Sequence, residues 1–185
     1  MNYLVGLGNP GERYRETRHN LRFRVVGELS RRFAIRLERE LCGALGGSDE
    51  TRTLVKPMTY MNRSGYSVRC LLERSGDRPA DVLVIYDDVN LELGRLRLRP
   101  AGDPGGHRGM ESIVENLRST AVPRLRLGVG EGERGDDLAD FVLAPFSERE
   151  AETAERMVDR AADAAEAWLA DGIESAMNRF NGPAV

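Results

Sequence analysis

The sequence predicts a single α/β domain, residues 1–185, in which helices cover both faces of a central mixed, mostly parallel sheet (a three-layer α/β/α arrangement). Two features of the chain predict this fold class. Short apolar segments typical of strands recur along the sequence, and segments with the three- and four-residue apolar spacing of helices alternate with them. The length also suits one domain, because 185 residues can enclose one hydrophobic core.

The first half of the chain predicts three strands and two helices. Apolar runs predict the strands, at 3–7, 53–56 and 81–86. Apolar residues at helical spacing predict helices over 20–33 and 64–74. The first strand runs into a turn rich in glycine and proline, and the third, which is the longest apolar run, ends in Asp87 and Asp88.

The second half predicts two more strands, at 95–99 and 124–129, and two more helices, over 109–117 and from Ser147 onwards. Residues 95–99 alternate arginine with leucine, so the arginines share one face of that strand. The final helix opens with a capping box and carries a stripe of alanine and larger apolar residues, which predicts core packing.

Charge is distributed unevenly over a chain whose formal net charge is -3. Residues 147–185 carry nine acidic residues and four arginines, and residues 131–140 carry five acidic residues and one arginine, so the remainder is basic. The acidic total argues against indiscriminate nucleic-acid binding, but it leaves room for a basic face. Lys56 is the only lysine. Arginine suits phosphate recognition, although genome base composition explains such a bias equally well.

Cysteine and histidine usage narrows the compartment and the chemistry. Cys42 and Cys70 form neither a disulfide framework nor a CxxC motif, which favours a reducing cytoplasm. His19 and His107 are not at metal-ligand spacing to the cysteines, so the sequence predicts no metal site. No run of about 18 apolar residues and no signal-like N-terminus occur, so neither a membrane span nor secretion is expected.

Residues 6–11, Gly-Leu-Gly-Asn-Pro-Gly, match the G-x-G-x-x-G pattern of dinucleotide-binding loops. The match is weak, because Pro10 lacks the backbone N–H that would bind a pyrophosphate and no amphipathic helix follows at once. A nucleotide-dependent enzyme is therefore a disfavoured hypothesis. The simpler interpretation is a turn at the carboxyl edge of the sheet, which places Asn9 for polar recognition.

His19 and Asp87 are candidates for a general-base pair. His19 lies in Thr-Arg-His-Asn, just before a predicted helix, and Asp87 follows the strongest predicted strand. A carboxylate that accepts the N–H of an imidazole fixes its tautomer and raises the basicity of the other nitrogen. The competing interpretations are a structural histidine and an aspartate that caps a helix. No G-x-S-x-G motif occurs, so water is the expected nucleophile of a hydrolase.

Two further segments bring polar groups to the predicted site. Residues 56–65 follow a strand and precede a helix, and Asn62 there can donate its amide to a carbonyl oxygen. Residues 102–109 form a glycine-rich loop before a helix, where His107 and Arg108 can bind an anion. The alternating arginines of the neighbouring strands fit either phosphate binding or an ordinary solvated face.

Taken in order, these segments resemble the bacterial peptidyl-tRNA hydrolase family along essentially the whole chain. Each match is short, but their number and order make the resemblance specific. The matches are 5–11, Tyr14, 17–20, 56–65, 86–91, 105–107 with Gly109, 124–128, 141–143 and 178–179. The resemblance implies hydrolysis of the ester between a peptide, or an N-blocked aminoacyl group, and the 3′ ribose of tRNA, which recycles stalled tRNA in translation.

The resemblance also implies roles for individual residues. His19 matches the catalytic base, Asp87 matches the acid that orients it, and Asn9 and Asn62 match amides that hold carbonyl groups of the substrate and the reaction centre. Further residues are expected to bind the peptide or the tRNA: Tyr14, Met61, Arg99, Arg108 and Arg126. The expected enzyme is a cytoplasmic monomer that uses neither a metal nor a cofactor and has peptidyl-tRNA as its partner.

Three features depart from the family pattern. One is the Glu-Gly-Glu-Arg of residues 131–134, where the family usually has a basic residue and proline. Arg108 stands where the family has a substrate-binding asparagine, so that contact is lost or becomes one with a phosphate or carboxylate. Arg22 stands where the family has glycine, which adds a bulky cation near the cleft. The acidic residues of 131–140 and of the final helix are expected to weaken a surface that faces tRNA, since phosphate contacts dominate affinity.

The alternative hypothesis is a catalytically altered or inactive relative that binds RNA without cleaving the ester. Retention of His19, Asp87, Asn9 and Asn62 disfavours it. The two hypotheses differ in one measurement, because a binding module would hold RNA with no turnover.

Overall fold

The computed structural model describes residues 1–11, 17–130 and 138–182, without the side chains of His19 and of 138–140. Within these ranges seven strands form one sheet: β1 (Asn2–Gly6), β2 (Arg39–Leu41), β3 (Ala44–Ser48), β4 (Arg52–Pro57), β5 (Val82–Asp88), β6 (Leu96–Arg99) and β7 (Arg124–Gly128). The same ranges contain five α-helices: α1 (Leu21–Phe33), α2 (Ser64–Ser75), α3 (Arg108–Leu117), α4 (Leu138–Leu143) and α5 (Glu148–Phe180).

The sheet has the strand order β2-β3-β4-β1-β5-β7-β6. Its four central strands, β4, β1, β5 and β7, run parallel, whereas β2, β3 and β6 pair antiparallel with their neighbours at the two edges. Helices α1 and α5 cover one face, helices α2 and α3 cover the other, and each face has its own apolar core. The predicted α/β fold with a mixed sheet is therefore confirmed.

Strand β5 is buried on both faces because helices cover both sides of the sheet. Leu83 and Ile85 point into the core beneath α1 and α5, whereas Val84 and Tyr86 point into the core beneath α2 and α3. This arrangement explains the uninterrupted apolar run in the sequence. It also brings the buried Asp87 to the carboxyl end of the strand.

Helix α5 pairs its acidic residues with arginines of α1. Arg32 Nη1 lies 2.6 Å from Asp163 Oδ1 and 2.9 Å from Glu166 Oε1, and Arg24 forms an ion pair with Glu155. The fold itself therefore neutralises part of the charge of this helix, and the expectation that the helix weakens tRNA binding stays a prediction. None of the helices in the described ranges is both long and apolar enough to cross a membrane.

The hairpin formed by β2 and β3 is absent from the sequence prediction. Its turn uses Cys42 and Gly43 with φ of 57° and 68°, the left-handed conformation that tight hairpins require. Strand β3 contains two glycines, which weakens the strand signal in the sequence. Gly47 is required by packing, because a Cβ there would collide with the carbonyl oxygen of Arg36.

The turn of this hairpin brings Cys42 against α2, where it forms a disulfide with Cys70. The Cα atoms of the two residues lie 5.8 Å apart, across a sequence separation of 28 residues. The expectation that these cysteines form no disulfide is therefore wrong, because only the unpredicted hairpin brings them together. The two cysteines therefore give no indication of a reducing compartment.

Cys70→Ser is expected to lower the free energy of unfolding by about 3 kcal/mol, since opening a loop of this length restores chain entropy to the unfolded state. Urea unfolding followed by circular dichroism measures the loss. Wild-type protein treated with dithiothreitol is the matched control and should lose a similar amount. An unchanged urea midpoint in both samples would contradict a stabilising disulfide.

The C-terminal end of α5 lies beside the edge strand β6. The helix is interrupted at Gly172, whose φ of 82° and ψ of 176° are not helical. Asn181 follows the helix, and its Oδ1 accepts the N–H of Leu98 at 2.6 Å while its Nδ2 donates to the Leu98 carbonyl at 3.0 Å. The side chain of Asn181 thus occupies both main-chain groups of a residue on the outer edge of β6.

Candidate active site

The candidate active site lies where the parallel strands β1 and β5 end side by side. Gly6 pairs with Ile85, and the N–H of Leu7 donates to the Ile85 carbonyl at 3.0 Å. Asn9 follows two residues after Leu7, and Asp87 follows two residues after Ile85. Because ligands bind at the carboxyl ends of parallel strands in α/β folds, this edge is the expected place for a site.

The turn that carries Asn9 is held by Asn20. The N–H of Asn9 donates to Asn20 Oδ1 at 2.9 Å, and Asn20 Nδ2 donates to the Asn9 carbonyl at 3.0 Å. The side-chain amide of Asn9 has no hydrogen-bond partner within the described residues, so it is available to a substrate. Asn20 is buried and acts through the backbone, a role that sequence reasoning missed.

The backbone around His19 is anchored on both sides. Arg18 Nη2 lies 2.7 Å from Glu150 Oε2, and its Nη1 lies 3.0 Å from the other carboxylate oxygen, which makes a two-pronged ion pair. Asn20 provides the second anchor through the Asn9 turn. Between them His19 lies in a short 3-10 helix, Arg18–Asn20, and its side chain lies outside the described residues.

Two of the described polar side chains lie close to the buried carboxylate of Asp87. Arg22, in the first turn of α1, forms an ion pair with Asp87 through Nη1 and Oδ1. His107 Nε2 lies 3.0 Å from the same oxygen. The sequence places Arg22 near the cleft, and the structure places it, fully buried, against the carboxylate.

His107 caps the N-terminus of α3. Its Nδ1 accepts the N–H of Met110 at 3.2 Å, so in the neutral ring the proton is assigned to Nε2, which donates to Asp87. Burial and then the positive charge of Arg22 lower the pKa of His107 to about 3. His107 is therefore neutral at physiological pH. The ring of Tyr86 lies 4.8 Å from the imidazole between centroids.

A short 3-10 helix, Met61–Arg63, brings Met61 and Asn62 to the N-terminus of α3. A Cβ on Gly109 would collide with Met61 Sδ and come within 3.1 Å of His107, so a larger residue there would displace the Met61 side chain. Met61 is half-buried and forms a wall beside His107. Asn62 is exposed, and its amide has no hydrogen-bond partner within the described part of the chain.

Arg99 and Arg126, the predicted tRNA contacts, lie on the adjacent strands β6 and β7. They share the sheet face of α2 and α3, because the leucines that alternate with them point into the opposite core. Arg126 forms an ion pair with the buried Asp88 and keeps 26% of its side chain exposed. Arg97, opposite Arg126, has its pKa lowered by the positive charge of Arg99 and by partial burial.

Arg124 does not belong to this basic face. Its guanidinium is buried and donates to three backbone carbonyls, those of Val122, Asp103 and Thr120, at 3.0 to 3.1 Å. Arg124 therefore holds the glycine-rich loop that precedes α3.

The remaining predicted residues are Arg108 and Tyr14. Arg108 is the first residue of α3, is exposed and makes no ion pair with a described residue. Tyr14 lies outside the described residues. In the described ranges no group of three or more histidine, cysteine, aspartate and glutamate side chains is arranged to hold a metal ion.

Sequence reasoning missed the contact between His107 and Asp87. One signal was available, since His107 is one of only two histidines and directly precedes a helix after a glycine-rich loop. The contact of Arg22 with Asp87 had no such signal, because α1 and β5 are far apart in the chain.

Known proteins with similar sequences belong to the family that the motifs resemble. The model of the family described as Peptidyl-tRNA hydrolase matches residues 3–185. A peptidyl-tRNA hydrolase from Synechococcus sp. (strain JA-2-3B'a(2-13)) is 50% identical over 186 residues, which cover 96% of this chain and 82% of that protein. A peptidyl-tRNA hydrolase from Moorella thermoacetica is 48% identical over 183 residues, which cover 96% of each chain.

The fold agrees with this similarity. The crystal structure of peptidyl-tRNA hydrolase from Acinetobacter baumannii matches with a TM-score of 0.91 and 30% identity, and the match covers 100% of this chain and 96% of that one. The family resemblance of the motifs is thereby confirmed over nearly the full length. This chain belongs to the peptidyl-tRNA hydrolase family.

Proposed function

We propose that this chain hydrolyses the ester between a peptide, or an N-blocked aminoacyl group, and the 3′ ribose of tRNA, with water activated by His19. One observation carries the proposal. The backbone that bears His19 is bonded through Asn20 to the Asn9 turn, at the same sheet edge where β5 delivers Asp87. The chain segments that carry the proposed base, the proposed orienting acid and the proposed amide donor thus meet at one edge of the sheet.

The reaction begins when His19 accepts a proton from a water molecule. The resulting hydroxide attacks the acyl carbon, and the bond from that carbon to the ribose 3′ oxygen breaks. The proton passes to the departing 3′ oxygen, which leaves tRNA with a free hydroxyl. The peptide is released as a carboxylic acid, which then gives its own proton to solvent and becomes a carboxylate. Asp87 orients the imidazole, and this type of base catalysis contributes about 10²–10⁴-fold to the rate.

Asn9 and Asn62 stabilise the substrate and the oxyanion. Both side-chain amides lack hydrogen-bond partners within the described residues, so substrate binding costs no existing bond. Amide donors aimed at the developing negative charge stabilise the tetrahedral intermediate more than the ester. Met61 forms the apolar wall of the cleft, and Tyr14 binds the same substrate.

Arg99 and Arg126 bind tRNA phosphates. They lie on adjacent strands on the sheet face that also carries Tyr86, which packs against His107. Phosphate contacts of this kind make binding weaken as salt concentration rises. We place the enzyme in the cytoplasm, where translation produces peptidyl-tRNA, as a monomer that requires neither a metal nor a cofactor.

Turnover of N-acetylated aminoacyl-tRNA tests the proposed function. Free aminoacyl-tRNA is the matched substrate, with the same ester and the same tRNA but an unblocked amine. We expect release from the N-acetylated substrate and at least tenfold slower release from the free one. Binding of both without release would favour the RNA-binding alternative, and neither release nor binding would reject both hypotheses.

Arg108→Asn is expected to raise KM about fivefold and leave kcat within twofold, because Arg108 is exposed at the start of α3 and acts as a phosphate contact. Steady-state kinetics at two salt concentrations measures the change, and the variant should show the weaker salt dependence. Arg118→Asn, at the other end of the same helix, is the control and should match the wild type. An unchanged KM would make Arg108 incidental.

A further inference from the structure

Arg22 is fully buried in the middle of the candidate site. Its side chain is 0% exposed, and the carboxylate that it contacts, that of Asp87, is 4% exposed. Its Nη1 also lies 3.2 Å from His107 Nε2. Because no part of Arg22 reaches the surface, it cannot touch the substrate, and any effect on the reaction passes through these two neighbours.

Asp87 is the group that balances the charge of Arg22. The Nε and Nη2 atoms of Arg22 are buried and have no hydrogen-bond partner within the described residues. Burial lowers the pKa of the Arg22 guanidinium, whereas the adjacent carboxylate favours its cationic form. Since arginine stays protonated in proteins, the two side chains are buried as a pair of opposite charges.

His107 faces this pair of charges. Its Nδ1 is occupied by the Met110 N–H, and its Nε2–H donates to Asp87. The described charged and titratable groups around it are Arg22 of α1, Tyr86, Asp87 and Asp88 of β5, and Glu111 of α3. Without a cation at position 22, the negative charge of the buried carboxylate would favour a proton on His107.

We propose that Arg22 is a positioning residue that supplies the positive charge required by Asp87 and thereby keeps His107 neutral, with its proton on Nε2. Two donors on one oxygen also fix the orientation of the carboxylate. The glycine that the family pattern has at this position would provide neither effect. An imidazole that shares Asp87 with Arg22 takes up a proton at a lower pH than one that faces Asp87 alone.

Activity should reflect this arrangement, a consequence that rests on the proposed function. The imidazole that limits the rate at low pH belongs either to His19 or to His107. In both cases the removal of Arg22 leaves the negative charge of Asp87 less compensated, which stabilises the protonated imidazole. The acidic limb of kcat/KM is therefore expected to move to higher pH in Arg22→Met, with KM at high pH within twofold of the wild type.

The direct test is a titration of His107 by NMR, which needs no substrate. Only two histidines are present, so His19→Ala assigns the signals. We expect His107 to stay neutral down to about pH 5 in the wild type, and its midpoint to rise by at least about one pH unit in Arg22→Met. Arg22→Lys, which keeps the charge, should restore the low midpoint.

Arg24→Met is the matched control, because Arg24 lies on the same helix and pairs instead with Glu155, which is exposed. It should leave the midpoint of His107 unchanged. Wild-type titration of His107 near its ordinary value would overturn the proposal even if Arg22→Met fails to fold. Equal midpoints in wild type and Arg22→Met would also overturn it. If the wild type does not hydrolyse the substrate, the proposed function is rejected. The proposal for Arg22 is not affected by that result, because the NMR titration needs no substrate.

Discussion

His19→Ala is expected to lower kcat for N-acetylated aminoacyl-tRNA by about 10²–10⁴-fold, because the variant has no group to accept a proton from the attacking water. Single-turnover kinetics at saturating enzyme measures the chemical step directly. The KM should change much less, since the variant leaves the proposed phosphate contacts of Arg99 and Arg126 intact.

The control for His19→Ala is Asn20→Asp, which alters the next residue but retains an oxygen that can accept the N–H of Asn9. It should lose activity only in part. Both variants should keep a cooperative thermal transition, so that loss of activity is not loss of fold. Turnover by His19→Ala within tenfold of the wild type would mean that another group is the base.

Asp87→Asn is expected to lower the free energy of unfolding by about 3–5 kcal/mol, because it leaves the buried guanidinium of Arg22 without its counter-charge. Activity should fall as well, since the variant removes the carboxylate proposed to orient His19. Chemical denaturation measures the stability, and initial rates measured well below the melting temperature separate the two effects.

Asp88→Asn is the matched control for Asp87→Asn. The two carboxylates are adjacent and similarly buried, but Arg126, the partner of Asp88, is partly exposed and can be solvated. Asp88→Asn should lower the free energy of unfolding by at most about 1–2 kcal/mol. The double variant Arg22→Met with Asp87→Asn should recover part of the stability lost by Asp87→Asn. Equal losses for Asp87→Asn and Asp88→Asn would contradict a special role for the buried pair.

Hydrophobic periodicity was sufficient to predict most of the elements. The apolar run before Asp87 is a fully buried strand, and the helices predicted over 20–33 and 64–74 are observed as α1 and α2 with ends that differ by one residue. Such segments are predictable because burial on one or both faces dictates the spacing of their apolar residues.

The hairpin of β2 and β3 could not be predicted in the same way. Its strands are short, one contains two glycines, and neither has a strong apolar alternation. The disulfide followed from that hairpin, so it was missed as well. Pairing of distant residues depends on topology, which local patterns do not contain.

The candidate site was predictable in part. The order of the motifs indicated Asn9, Asp87, Met61 and Asn62, and the structure brings the segments that carry them to one region. The side chain of His19 lies outside the described residues, so its position beside Asp87 stays a prediction. The burial of Arg22 was beyond prediction, because an arginine in the first turn of a helix ordinarily reaches solvent. Only its distance from Asp87 in the folded chain shows what it contacts.

The asparagine that follows α5 has a consequence for self-association. Outer strands of a sheet offer unpaired main-chain groups to other chains, and proteins block them to avoid aggregation. Asn181 saturates Leu98 on one border of the sheet, and the opposite border is a strand of three residues that includes Arg39 and Glu40. Neither border is a good template for continuous strand addition by another copy, which limits aggregation through the edges of the sheet.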